Sequence, residues 1–260
     1  MASERGPDRD LGLFETLLVL DGAPVALGEH LDRLGTSADT VFDGALPADA
    51  GSRVSEAAAG LELGRLRLTA APAPAGIELT THAEAIDAAI HMPDWEQGAR
   101  LRGFELLGGL GAHKWRDRSA LPAEGGALTL LLDRGGEVLE ASRANVFAVR
   151  SGALFTPPLD GRVLPGTTRA AVLAIAAEAG VEVTEGKLWR EELLGSDEVF
   201  LTGSVRGIEP ARELDGVELG RGEVAPMLAS RLSERWRRKR TDRQMAAGPD
   251  ALAYLVVPSS

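Results

Sequence analysis

Lys114 carries the amine with which this chain could do imine chemistry. Of its 28 basic residues only three are lysines, Lys114, Lys187 and Lys239, and arginine fills every other basic position. A guanidinium stays protonated at neutral pH and forms no Schiff base, whereas a lysine amine can. Three further segments supply what an amine alone lacks. Glu140, in EVLEASRANVF, places a carboxylate at the end of a short strand. In LPGTTR, at 164–169, Gly166 permits close backbone approach, and the N–H groups of Thr167 and Thr168 fall at a helix start, where unpaired donors and the helix dipole favour an anion. LTGSVRG repeats that logic at a strand end with Gly203 and Ser204.

An amine, a carboxylate and two anion cradles are the requirements of pyridoxal 5'-phosphate, which needs its phosphate neutralised and its pyridine nitrogen tuned. Taken singly, each segment has a plainer reading: a capped helix, a surface glutamate, a strand end. In order, they resemble the class IV aminotransferases, the fold-type IV pyridoxal-phosphate family, over about residues 11–225. Phe14-Glu15-Thr16, HLDRL with Arg33, HKWRDR, E-x-S-x-x-N-V-F with Glu140 and Asn145, LPGTTR and EVFLTGS before IEP carry the resemblance. It implies a mixed α/β (α+β) fold of two domains, a small N-terminal α/β domain over 1–107 and a larger one over 108–260 with a β-barrel-like sheet flanked by helices. It also implies Lys114 as imine lysine and proton shuttle, Glu140 at the pyridine nitrogen, and Arg33, Gly166, Thr167, Thr168, Gly203 and Ser204 around the phosphate. A homodimer, with each active site near the interface, belongs to the same expectation.

Within the family, Arg118 four positions after the lysine and Thr16 in Phe-Glu-Thr are similar to aminodeoxychorismate lyases. That reading gives Thr16 a part in proton transfer. Arg118, Arg67 and Arg206 become candidates to grip the carboxylates of a small-molecule amine substrate. The alternatives are an aminotransferase acting on branched-chain or D-amino acids and, from another class, a non-catalytic protein that binds an anionic partner through its basic C-terminal segment.

Composition narrows the rest. Zero cysteines exclude disulfides and thiol catalysis, and the four histidines lack metal-ligand spacing, so no metal is expected. The net charge of −11 opposes nucleic-acid binding, although seven basic residues against two acidic ones gather at 231–243, which reads as a solvated helix face. No apolar run is long enough to span a membrane and the N-terminus is polar, so a cytoplasmic protein is expected.

The elements that must position these residues can be read from periodicity. Strands are predicted at 13–20, 63–71 and 76–82, with an Asp21-Gly22 turn and APAPAG as a loop, and helices at 29–42 and near 52–60. The domain boundary falls at about 95–112. Strands at 127–133, 137–140, 144–150 and 153–156 precede a helix at 167–179 that starts after Pro165-Gly166 and stops at Gly180. A strand at 181–184, a helix near 190–195, a strand at 197–202 and a helix at 223–239 complete the pattern, leaving the tail from 244, with Tyr254, unplaced.

Overall fold

The computed structural model of the protein describes residues 6–123 and 125–246; the tail beyond 246, including Tyr254, lies outside the described residues. The chain starts with β1 (Leu13–Leu20), β2 (Ala23–Pro24), α1 (Leu27–Phe42), α2 (Ala50–Ala58), β3 (Leu63–Ala73) and β4 (Gly76–Ala85). The strands form an antiparallel sheet of order β2-β1-β3-β4. Asp21 and Gly22 both take positive φ, 46° and 76°, which makes the tight hairpin between β1 and β2 that Asp-Gly favours. APAPAG is mostly strand rather than loop. β3 runs on to Ala73 and leaves a two-residue turn, because Pro72 lies past Ala70, where pairing with β1 ends and a missing N–H breaks no ladder bond.

One face of this sheet packs under the helices. Leu13, Leu17, Val19, Leu66, Leu68 and Ala70 meet Leu34, Val41, Val54 and Ala58, all buried. Each such leucine or valine side chain taken from water contributes roughly 1.5–3 kcal/mol. The i, i+4 spacing of His30, Leu34 and Ala38 puts a histidine in the buried stripe of α1.

The second sheet comprises β5 (Ala99–Glu105), β6 (Leu128–Leu132), β7 (Val138–Ala141), β8 (Asn145–Arg150), β9 (Ala153–Thr156), β10 (Val183–Glu185), β11 (Glu198–Gly203), β12 (Gly207–Leu214) and β13 (Val217–Glu218). Its order is β10-β9-β8-β11-β12-β5-β6-β7, with β13 on β12. The turn at 141–144 returns β7 beside β8, so six strands curl into a barrel-like ring. Alternate residues such as Leu101, Leu130, Val146, Val199, Leu201 and Ala211 fill its interior. On the outside, Phe147, Val149, Phe200 and Ile208 are covered by α3 (Thr167–Glu178) and by α5 (Val224–Ala246), which comes after the short α4 (Arg190–Leu194).

β5 pairs with β12 and β6, so the change from one sheet to the other falls between Ala85 and Ala99. No helix among the described residues is long and apolar enough to cross a membrane.

Candidate active site

Lys114 lies on the long connection from β5 to β6, which crosses to the first sheet and docks along β1. Phe14 N–H donates to the Lys114 carbonyl (2.9 Å), Arg116 N–H donates to the Gly12 carbonyl (3.0 Å), and Trp115 bridges Leu13. The lysine is thereby held in the seam between the sheets. Burial lowers its amine from 10.5 to about 8, against the pull of Glu15 and with help from the positive charges of Arg33 and Arg118.

Glu140 reaches the same seam from β7, and a bulge is what aims it there. Leu132 pairs with Val138 but Leu131 with Glu140, so Leu139 is an extra residue in the ladder. Val138 and Ala141 point into the barrel, while Leu139 and Glu140 both turn to the outer face. The carboxyl is 4% exposed and accepts from Asn145 Nδ2 (3.4 Å) and Leu164 N–H (3.3 Å). Desolvation raises it from 4.5 to about 7, with the Leu164 N–H and the Lys114 charge opposing.

The anion cradle joins three elements. Gly166 caps α3, and the first-turn N–H groups of Thr167 and Thr168 have no helical acceptor. A Cβ at Gly166 would stand 2.0 Å from Asn145 Oδ1, so only glycine lets this turn lie on the Glu140 shelf. Gly203 and Ser204 arrive from the end of β11, with Ser204 Oγ 3.5 Å from Thr167 Oγ1. Thr202 Oγ1 is buried with no partner among the described residues and lines the same hollow.

Arg33 approaches from α1. It donates through Nε and Nη2 to Glu15 (2.8 and 2.6 Å) and through Nη1 to the Pro165 carbonyl (2.9 Å), which ties α1 to the cradle. Glu15 also meets His30 Nδ1 at 2.7 Å, and His30 Nε2 reaches Thr167 Oγ1 at 3.3 Å. Burial would raise the Glu15 carboxyl, yet the His30 and Arg33 hydrogen bonds outweigh it and lower it to about 2. Strand alternation splits Phe-Glu-Thr: Glu15 faces the helices, Phe14 and Thr16 the opposite side. Neither Glu15 nor His30 stood out as a site residue in the sequence. The available signal was a histidine on the apolar face of α1, three residues before Arg33.

Beside this hollow, of about 40 Å³, opens a chamber of about 580 Å³ that shares Lys114, Arg118 and Ser204 with it. Thr16, Arg67 and Arg206 line the chamber. The Phe14 ring has three cations around it, with Arg67 4.6 Å, Lys114 Nζ 4.9 Å and Arg118 5.4 Å from its centroid. Arg67 has no carboxylate partner among the described residues, whereas Arg206 is bonded to Glu209 at 2.8 Å. Every candidate residue of the sequence therefore borders one of two adjoining hollows, with Arg206 already neutralised.

These residues fit pyridoxal 5'-phosphate. Thr202 Oγ1 is an orphaned hydroxyl, the α3 N-terminus presents unpaired N–H donors, and a lysine with a depressed amine and a buried carboxyl share the space.

Residues 112–214 match the family model described as amino-transferase class IV. A branched-chain-amino-acid aminotransferase of Escherichia coli K12 is 43% identical over 98 residues, 38% of this chain and 32% of the relative, so the match spans about a third of that protein's length. Among solved structures, the branched-chain amino acid aminotransferase from Escherichia coli superposes with TM-score 0.68 at 23% identity, covering 84% of this chain and 82% of the other, a likeness of fold. The 4-amino-4-deoxychorismate lyase of Pseudomonas aeruginosa superposes with TM-score 0.68 at 27% identity, covering 86% and 90%. The chain has the fold of the fold-type IV aminotransferases, and its residues 112–214 match the class IV aminotransferase family.

Proposed function

We propose that the protein binds pyridoxal 5'-phosphate in the smaller hollow and acts as a 4-amino-4-deoxychorismate lyase, releasing 4-aminobenzoate and pyruvate. The observation that carries this reading is the chamber itself, where Thr16, Arg67 and Arg118 surround Lys114 and Phe14.

Lys114 and Glu140 would hold the cofactor's carbonyl end and ring nitrogen, with Arg33, Gly166, Thr167, Thr168, Gly203 and Ser204 around its phosphate. When bound, the cofactor supplies an electron sink for charge developing on the substrate. Lowering the Lys114 amine from 10.5 to about 8 gives its neutral form, the one that would accept the proton from the amine-bearing carbon, a larger share near neutral pH. Thr16, which lines the chamber, would relay a proton as the bond from the ring to the enolpyruvyl oxygen breaks. The two substrate carboxylates suit Arg67 and Arg118, whose planar guanidinium groups grip carboxylates in pairs. Glu140, buried and bonded to Asn145, would keep the ring nitrogen of the bound cofactor protonated.

A second reading, an aminotransferase for branched-chain amino acids, is favoured by the 43% identity over 98 residues to such an enzyme. The two share their chemistry up to proton removal and part only afterwards, at elimination or at reprotonation. The deciding experiment incubates the cofactor-loaded protein with aminodeoxychorismate and no keto acid. Formation of 4-aminobenzoate and pyruvate, with Thr16→Val slowing turnover more than it weakens cofactor binding, supports the lyase. Acceptor-dependent conversion of branched-chain amino acids with no 4-aminobenzoate would overturn it.

A further inference from the structure

Arg162 stands outside the site, yet three segments that build the site meet on it. Its Nη1 donates to Asp133 (2.7 Å), its Nη2 to Glu137 (2.7 Å) and to Asp160 (2.5 Å), and its Nε to Asp160 (2.9 Å). Asp133 and Glu137 bracket the turn from β6 to β7, three residues before Glu140. Asp160, by contrast, belongs to the loop of Arg162 itself, which two residues on supplies the Leu164 N–H to Glu140 and then becomes the cradle.

The approach to Lys114 leans on the same point. Gly108 N–H lies 3.4 Å from Asp133 Oδ1, and a Cβ on Gly109 would stand 2.5 Å from the Arg162 carbonyl and 2.8 Å from Leu139. Gly109 has φ +65°, so a larger residue would be strained as well as obstructed. Next to Arg162, Val163 packs with Leu131 and Leu139 in a small buried cluster against which Leu106, Leu110 and Leu121, flanking Lys114, also pack. One guanidinium thus neutralises carboxylates on two separate segments while its backbone abuts a third. A rigid planar fork can do this; a single ammonium bonded at one point cannot.

We propose that Arg162 is a positioning residue, a clamp that joins the Glu140 turn to the cradle loop and thereby holds Lys114 and Glu140 at their working separation and depth. Its meaning for catalysis rests on the function proposed above, but its structural content can be read in the protein without cofactor. The readout is the pH dependence of Lys114 acylation, followed by mass spectrometry, which separates it from Lys187 and Lys239. Charges facing that amine come from β1 (Glu15), α1 (Arg33), β7 (Glu140) and its own loop (Arg118).

Arg162→Gln and Glu137→Gln should move the Lys114 midpoint upward by about half a pH unit or more, because a loosened seam admits water and burial is what lowers the amine. Asp160→Asn, which removes only the contact within one loop, should leave it unchanged. A folded Arg162→Gln protein with the parental midpoint overturns the proposal. So does an Asp160→Asn shift as large as that of Glu137→Gln. If Arg162→Gln does not fold, Glu137→Gln, which keeps the side-chain shape, decides between the outcomes. Pyridoxal phosphate titrations of the same proteins separate the two ideas: no cofactor binding by the parent, with shifted midpoints in the variants, would sink the function and leave the clamp standing.

Discussion

Replacing Glu15 by glutamine should weaken the protein in a way that depends on pH. The Glu15 carboxyl is 1% exposed, sits 2.7 Å from His30 Nδ1 and 2.6 Å from Arg33 Nη2, and is lowered from 4.5 to about 2. A group whose folded value is depressed stabilises the protein above its unfolded value, and that stability drains away as pH falls toward the folded one. With 4.5 and about 2 as the two values, the ionised carboxylate contributes about 3 kcal/mol at pH 7, most of it still present at pH 4 and less than half of it left at pH 3. Glu15→Gln keeps the shape but leaves Arg33 buried beside a neutral amide, a change of the kind that costs about 3–5 kcal/mol when one member of a buried pair is lost. Urea unfolding of both proteins at pH 7, 5, 4 and 3 provides the comparison. The deficit of the variant should be about 3 kcal/mol at pH 7 and should shrink by more than half by pH 3. A deficit that stays constant across that range, or falls below about 1 kcal/mol at pH 7, would refute the assignment of an ionised, doubly bonded Glu15.

Other expectations come from the site. Glu140→Gln should keep the fold and lower turnover by ~10²-fold or more, the scale lost with one preorganised electrostatic partner, and steady-state kinetics showing unchanged turnover would remove Glu140 from its role. Gly166→Ala places a methyl 2.0 Å from Asn145 Oδ1 and should weaken pyridoxal phosphate binding in an absorbance titration far more than Gly180→Ala, which meets no atom within 4 Å but has positive φ; equal losses would argue against the close approach. Light scattering at micromolar concentration should report a homodimer, and a fully active monomer would contradict that expectation.

Much of the architecture was legible because periodicity and turn chemistry agreed. Asp21-Gly22, the α1 stripe and the Pro165-Gly166 start of α3 all lie where their residue types put them. β12 was missed for a physical reason. Pro210, Glu209 and Arg212 make IEPAREL look like a loop, yet the strand is interior: Glu209 is buried because Arg206 bonds to it and Arg143 lies 3.5 Å away, charges that no window along the chain could pair. Glu140 was found by motif, not by pattern. Strict alternation would send it into the barrel with Val138, and only the bulge at Leu139 turns it out. Glu15 and His30 escaped because their roles exist only once β1 and α1 are packed together.

The pairing of β5 with β12 sets an order on how the protein can come into being. Ala99 meets Ala211 across that ladder, 112 positions downstream by subtraction, so the ring around the barrel core closes only after residues near Leu214 have been made. At about 5–20 residues per second of synthesis, the edge of β5 would wait several seconds or more with its hydrogen-bonding groups unsatisfied and Leu101 uncovered. Lys114, Glu140 and the LPGTTR turn would all have left the ribosome by then, without a wall to stand on. The slow step in biogenesis should therefore be this late docking, and nascent chains halted before β12 should be the species that chaperones hold and proteases cut.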